Sequence, residues 1–183
     1  VIRFGRTAVT PPPGGFLQAT REGETALLAA VREAVGGARR IVDLFAGAGT
    51  FALPLAEGAE VRAVEADAAH LAALAAGWRG AAGALKRVET ERRDLFRRPL
   101  QPAELKGVEA VVIDPPRAGA AAQSEALARS AVPRIAAVSC NPETFARDAR
   151  TLVDAGYALE WVRPVDQFRW SAHVELAAAF TRR

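Results

Sequence analysis

Asp43-Leu44-Phe45-Ala46-Gly47-Ala48-Gly49-Thr50-Phe51-Ala52 is the stretch that decides the fold. It closes a short β-rich run, Arg40–Phe45, and opens a helical pattern over Thr50–Glu57. A Gly-x-Gly-x-x-Ala turn between a strand and a helix lets the backbone approach a ligand closely. Eighteen residues beyond Gly47, a second β-rich run, Val61–Glu65, ends in an acid, Glu65. A carboxylate at that strand end suits the two hydroxyls of a ribose. Working outward, β-rich runs recur at Val88–Arg92, Val108–Ile113, Arg134–Ser139, Leu159–Val162 and Val174–Phe180. Helical patterns fall between them at Ala68–Trp78, Ser124–Arg129 and Glu143–Ala155, and a further helix, Thr20–Val35, precedes them all. Strands alternating with helices predict an α/β fold, a mostly parallel seven-stranded sheet with helices on both faces. Only the Arg163–Ser171 loop separates the last two strands, too short for a helical crossover. The last strand is therefore expected to be antiparallel, a hairpin partner inserted at the sheet edge.

Composition bounds the rest. The chain has 183 residues, formal net charge +3, one cysteine and no methionine. That length suits one domain able to bury its own core. One cysteine excludes a disulfide framework and an iron–sulfur cluster or four-cysteine zinc site built within this chain. No metal site is expected. There is no apolar run long enough to span a bilayer and no signal peptide, so the default compartment is the cytoplasm. Of the 24 basic residues 22 are arginines, and 42 residues are alanine. Coding bias explains most of that skew, although arginine forks also match phosphate oxygens. Residues 1–19 read as an extended arm broken by Pro11-Pro12-Pro13-Gly14-Gly15. With no Met and Val1 first, the arm is expected to be the linker from a missing N-terminal region, with the working domain over residues 20–183.

In an open α/β sheet, ligands bind beyond the carboxyl ends of the strands. Asp43 stands just before the glycine turn, where it favours a cationic sulfonium or amino group over a pyrophosphate. Asp94 follows the third strand, placed to meet an adenine amino group or to cap its own turn. The fourth strand runs into Asp114-Pro115-Pro116-Arg117, whose prolines stiffen the presentation of the Asp114 carboxylate. The fifth ends in Ser139-Cys140-Asn141-Pro142-Glu143-Thr144. Cys140 thus lies at a strand end beside a helix start, where the helix dipole is expected to favour thiolate. His173-Val174-Glu175 opens the last strand, with Glu175 a candidate base.

Together, Asp114-Pro115-Pro116-Arg117, Ser139-Cys140-Asn141-Pro142-Glu143-Thr144 and His173-Val174-Glu175 resemble the RNA 5-methyluridine methyltransferases. Phe16-x-Gln18 and Asp166-Gln167-Phe168 extend the resemblance over nearly the whole chain. It implies a Rossmann-like class I methyltransferase that uses S-adenosyl-L-methionine to methylate uracil C5 in transfer or ribosomal RNA. By the same resemblance Cys140 is the nucleophile, Glu175 removes the C5 proton, and Gln18, Phe45, Thr50, Glu65 and Asp114 line the cofactor and uracil pocket. Gly47, Gly49 and Asp94 complete the expected cofactor site. Asp114 is expected to hold either the pyrimidine edge or the cofactor. Arg117, Arg147 and Arg169 are candidates for flanking phosphates. Thr20 and Thr50 stand where the family usually or often has Asn, and Phe45 where Tyr is common. The implied protein is a monomer acting on RNA, with a missing N-terminal RNA-binding domain and no membrane. Other readings remain at this point: methylation of RNA cytosine or of a small molecule, a nicotinamide-dependent oxidoreductase, and a non-catalytic RNA- or cofactor-binding module.

Overall fold

The Val- and Ile-rich runs at the centre of the chain are buried on both faces, as parallel strands covered by helices must be. The computed structural model describes residues 1–168, 170–171 and 173–182. Its strands are β1 (Ile2–Phe4), β2 (Thr7–Val9), β3 (Arg40–Leu44), β4 (Glu60–Glu65), β5 (Val88–Arg92), β6 (Ala110–Ile113), β7 (Arg134–Ser139), β8 (Tyr157–Val165) and β9 (Glu175–Arg182). The α-helices are α1 (Arg21–Val35), α2 (Ala52–Leu55), α3 (Ala68–Gly80), α4 (Ala121–Ala128) and α5 (Pro142–Asp154). Seven strands form one sheet in the order β5-β4-β3-β6-β7-β9-β8. The first five in that order are parallel, and β9 runs antiparallel to both of its neighbours. This is the expected fold class. The last strand is antiparallel as expected, but it lies one place in from the edge, with β8 outermost.

Two apolar layers sandwich the sheet. Leu27, Val31, Leu53 and Leu74 anchor α1, α2 and α3 on one face. Leu127, Ala149 and Leu152 anchor α4 and α5 on the other. The main helices begin where capping chemistry places them. Thr20 accepts the Gly23 N–H at 3.0 Å to start α1, Asp67 accepts from Ala69 and His70 to start α3, and Asn141 accepts from Glu143 with Pro142 following to start α5. Gly36, at φ +57°, ends α1.

Three expectations need correction. Residues 1–19 are not simply an extended arm, because β1 and β2 pair as a hairpin turning at Gly5 (φ +56°). Phe4, Thr7 and Val9 are buried, and Val9 packs so close to α3 that a Cβ on Gly77 would lie 2.8 Å from it. Burying Phe4 and Val9 stabilises this attachment by about 1.5–3 kcal/mol each. The helix expected over Thr50–Glu57 shrinks to α2, since Pro54 lacks an N–H and Gly58 follows closely. Finally, β8 extends through Val165, because its pairing with β9 continues to Val165↔Glu175 and consumes part of the expected loop. No helix of the described residues is long and apolar enough to cross a membrane.

Candidate active site

Parallel strands deliver their carboxyl ends to one edge of the sheet, and the antiparallel β9 delivers its amino end to the same edge. Asp43, Glu65, Asp114, Cys140 and Glu175 therefore gather there. The glycine turn sits at the end of β3. Phe45 adopts the left-handed conformation (φ +62°), rare outside glycine, and its ring lies 5.4 Å from that of Phe96. Gly47 and Gly49 also have positive φ. A Cβ at Gly47 would meet nothing within 4 Å, so the backbone there faces open space. A Cβ at Gly49 would collide with Leu74 Cγ at 2.9 Å. Half-buried Thr50 follows in the turn.

Glu65 fastens this turn. Its Oε2 accepts the Gly47 N–H at 3.0 Å, and its Oε1 accepts those of Ala66 and Asp67 at 2.7 and 2.9 Å. Asp94 ends up beyond β5 with Oδ1 accepting the Phe96 and Arg97 N–H groups, so that oxygen caps its own turn. Asp43 lies deeper. It is fully buried, and neither carboxylate oxygen has a hydrogen-bond partner of normal geometry among the described residues. Burial, with the charges of Asp114 and Glu65, pushes its carboxyl well above the usual range, and the Ala52 N–H offsets this only in part.

The other half of the edge joins β6, β7 and β9. Antiparallel pairing sets Ser139, the last residue of β7, opposite Leu176, so Cys140 just past β7 and Glu175 at the start of β9 come to the same end of the strand pair, where the Glu175 charge acts on the thiol. The two quoted motifs are also tied to each other. Asn141 Nδ2 and Thr144 Oγ1 both donate to the Arg117 carbonyl, at 3.0 and 3.2 Å. From α5, Asp148 accepts the Ala120 N–H at 2.6 Å, and Arg147 donates to the Ala118 carbonyl at 3.1 Å. Gly119 (φ +73°) allows this approach, since a Cβ there would meet Arg147 Nη2 at 2.5 Å. Arg147 is thereby committed to Ala118 and Asp148 rather than free for a phosphate. Arg117 lines the cleft, its Nη2 3.0 Å from His173 Nε2. Arg169 lies outside the described residues.

A cleft of about 210 Å³ opens over this half, lined by Arg117, Cys140, Asn141, Pro142, His173 and Val174. Its electrostatics reverse one expectation. Cys140 does precede α5, but burial and the charges of Glu175 and Asp114 push its thiol up rather than toward thiolate, with Arg117 opposing them in part. Burial and Glu175 likewise push Asp114 up to about 7. Burial raises Glu175 itself, while Gln167 and Arg117 hold it down. The sequence reading quoted Gln167 as part of a motif but gave it no role. Its buried side chain donates to Gln18 Oε1 at 2.7 Å, which ties the arm to the segment before β9.

Comparison with known proteins separates the readings left open by the sequence. The family described as tRNA (Uracil-5-)-methyltransferase matches residues 13–183. The chain belongs to that family. Among its members, an RNA methyltransferase of Brucella suis biovar 1 is 56% identical over 182 residues, covering 100% of this chain and 44% of the relative. The 23S rRNA (uracil(1939)-C(5))-methyltransferase RlmD of Alteromonas naphthalenivorans is 37% identical over 180 residues, covering 94% and 37% of the two chains. The solved Pyrococcus abyssi tRNA (uracil-54, C5)-methyltransferase, in complex with S-adenosyl-L-homocysteine, superposes with a TM-score of 0.79 at 30% identity over 92% of this chain and 41% of that one. Synechocystis magnesium protoporphyrin IX methyltransferase, with a TM-score of 0.67 at 14% identity, shares the fold alone. The chain spans less than half the length of the curated relatives it matches.

Proposed function

We propose that this chain is the catalytic domain of an S-adenosylmethionine-dependent methyltransferase that modifies C5 of a uridine in RNA through a covalent bond from Cys140 to C6. The observation that carries the reading is the register of β7 against β9, which brings the thiol just past β7 and the carboxylate that opens β9 to the same end of the strand pair, at the ligand-binding edge of the sheet.

The residues present suit the cofactor. Open space over Gly47, the orphaned carboxylate of Asp43 and the acid-rich edge formed with Glu65 and Asp114 fit an amino acid carrying a positive sulfonium. Gln18, Phe45, Gly47, Gly49, Thr50, Glu65 and Asp94 are the groups that would hold it. When bound it supplies an electrophilic methyl group.

Uracil C5 is a poor nucleophile until a second group adds to the ring. The Cys140 sulfur forms a bond to C6, and the ring π electrons move onto the C4 carbonyl oxygen as an enolate, which makes C5 nucleophilic. Once C5 carries its new carbon, the Glu175 carboxylate removes the C5 proton. The electrons of that C–H bond restore the C5–C6 double bond and expel the Cys140 sulfur. Burial and the charges of Glu175 and Asp114 favour the protonated thiol at rest, so as the S–C6 bond forms the S–H bond breaks and its proton passes to the Asp114 carboxylate, which removes one of the charges that oppose thiolate. The target base must leave its stack to reach the cleft, which costs about a few kcal/mol.

The test uses full-length protein, S-adenosylmethionine and 5-fluorouridine RNA of transfer and ribosomal type. Fluorine at C5 cannot leave as a proton, so the adduct is trapped after methyl transfer. A covalent complex is expected, mapped by mass spectrometry to Cys140 and lost in Cys140→Ala. A cofactor-binding wild type that traps neither RNA would overturn the reading.

A further inference from the structure

Gln167 is buried where three segments of the chain meet. From the arm, the Thr20 backbone N–H donates to Gln167 Oε1 at 3.4 Å, while Gln18 Oε1 accepts from Gln167 Nε2 at 2.7 Å. From α1, Gly23 presents bare backbone, and a Cβ added there would lie 2.3 Å from Gln167 Oε1 and 2.9 Å from its Cδ. The Gln167 side chain also favours the charged form of the Glu175 carboxylate, at the start of β9.

These contacts have a direction. A backbone N–H can only donate, so Thr20 fixes the oxygen end of the Gln167 amide. At the other end one N–H bond meets Gln18 Oε1, which leaves the second to favour the charged Glu175 carboxylate. With its oxygen used, Gln18 has its own NH2 left to offer a ligand. One buried amide thus sets which end of Gln18 faces the pocket and supplies a donor to the base. We propose that Gln167 is a positioning residue for uracil-C5 methylation, orienting Gln18 and offering its remaining N–H to Glu175, and that Gly23 is glycine because only a bare backbone leaves Gln167 its seat. This rests on the roles given above to Cys140 and Glu175.

The groups facing Glu175 are Gln167 before β9, Arg117 beyond β6, Asp114 at the end of β6 and Cys140 at the end of β7. Gln167 and Arg117 favour its charged form. Removing the Gln167 donor therefore raises the Glu175 pKa, and activity is lost at a higher pH as the base becomes protonated.

The experiment measures methylation by the full-length protein over pH, with kcat and KM for S-adenosylmethionine, for wild type, Gln167→Leu and Gly23→Ala. Gln167→Leu is expected to lower kcat at least about tenfold and to move the acid limb of the pH profile up by about one unit. It should also raise KM for the cofactor severalfold, as Gln18 is freed to rotate. Gly23→Ala keeps Gln167 but displaces it, so it should move the acid limb in the same direction. Alanine favours a helix over glycine, so α1 is not weakened by that change. Wild-type kcat, KM and acid limb in both variants would overturn the inference, as would reduced activity with an unmoved acid limb, the mark of a merely structural residue. A wild type that forms no 5-fluorouridine adduct removes the proposed function and this inference together. A wild type that forms it, beside indistinguishable variants, removes this inference alone.

Discussion

The two halves of the sheet edge treat their acids in opposite ways. Around β3–β5, Glu65 and Asp94 are held by backbone N–H groups close to them in sequence or across one strand pair. Around β6, β7 and β9, Asp114 and Glu175 are packed near each other and near Cys140, and all three are pushed toward their neutral forms. The first arrangement is a fixed cradle in which Glu65 and Asp94 are already satisfied by dipoles, and only the buried Asp43 is left without a partner among the described residues. The second keeps proton-exchanging groups poised, the usual character of a site that performs acid–base chemistry. Under the proposed function, holding a ligand and transforming one make different demands, and a single sheet edge meets both by dividing them between its halves.

The division breaks most visibly at Glu175. Glu175→Gln is expected to slow methyl transfer by roughly 10²–10⁴-fold, the range for losing a general base, while leaving cofactor affinity unchanged. Steady-state kinetics and titration calorimetry read the two quantities. A parallel loss of cofactor affinity would show that the halves are not separate. On the cradle side, Gly49→Ala forces φ +100° on a residue with a Cβ and drives that carbon to 2.9 Å from Leu74 Cγ. A loss of about 1–3 kcal/mol in stability is expected in denaturant unfolding, with weaker cofactor binding and kcat at saturation largely kept. The smallest effect concerns pH. Asp114 titrates near 7 when folded against 3.8 ordinarily, so through that window the folded state binds more protons than the unfolded one. Stability therefore falls as pH rises from about 4 to 7, and the raised Asp43 and Glu175 tilt it the same way. Glu104, drawn down to about 2 by Arg93, acts in the opposite direction and chiefly below its ordinary value of 4.5. Asp114→Asn should flatten the slope, as thermal melts across that range would show.

Much of the cradle was legible because its signals are local. The glycine turn, the acid after β4 and the strand–helix alternation each occupy a few consecutive residues, and a strand's carboxyl end can be located without knowing its neighbours. The position of Cys140 was legible for the same reason. Its ionisation was not, since the carboxylates that raise it come from β6 and β9, far along the chain, and outweigh the helix beside it. Arg147 read as a candidate for a flanking phosphate because nothing nearby in sequence reveals the Ala118 carbonyl it meets. The β1–β2 hairpin was missed because its strands are three residues each, and the proline cluster that follows dominates the local pattern. Gln167 carries no sequence signal of burial, and only the fold shows it wedged against Gly23.

The place of β9 between β7 and β8 also governs the order in which the site comes into being during synthesis. The strand that leads into Cys140 emerges from the ribosome first, then the outer strand, and only afterwards the strand that inserts between them with Glu175. A nascent chain complete as far as Val165 carries the glycine turn and the thiol but neither Gln167 nor Glu175. Thiol and carboxylate become neighbours only when the last strand closes the gap in the sheet.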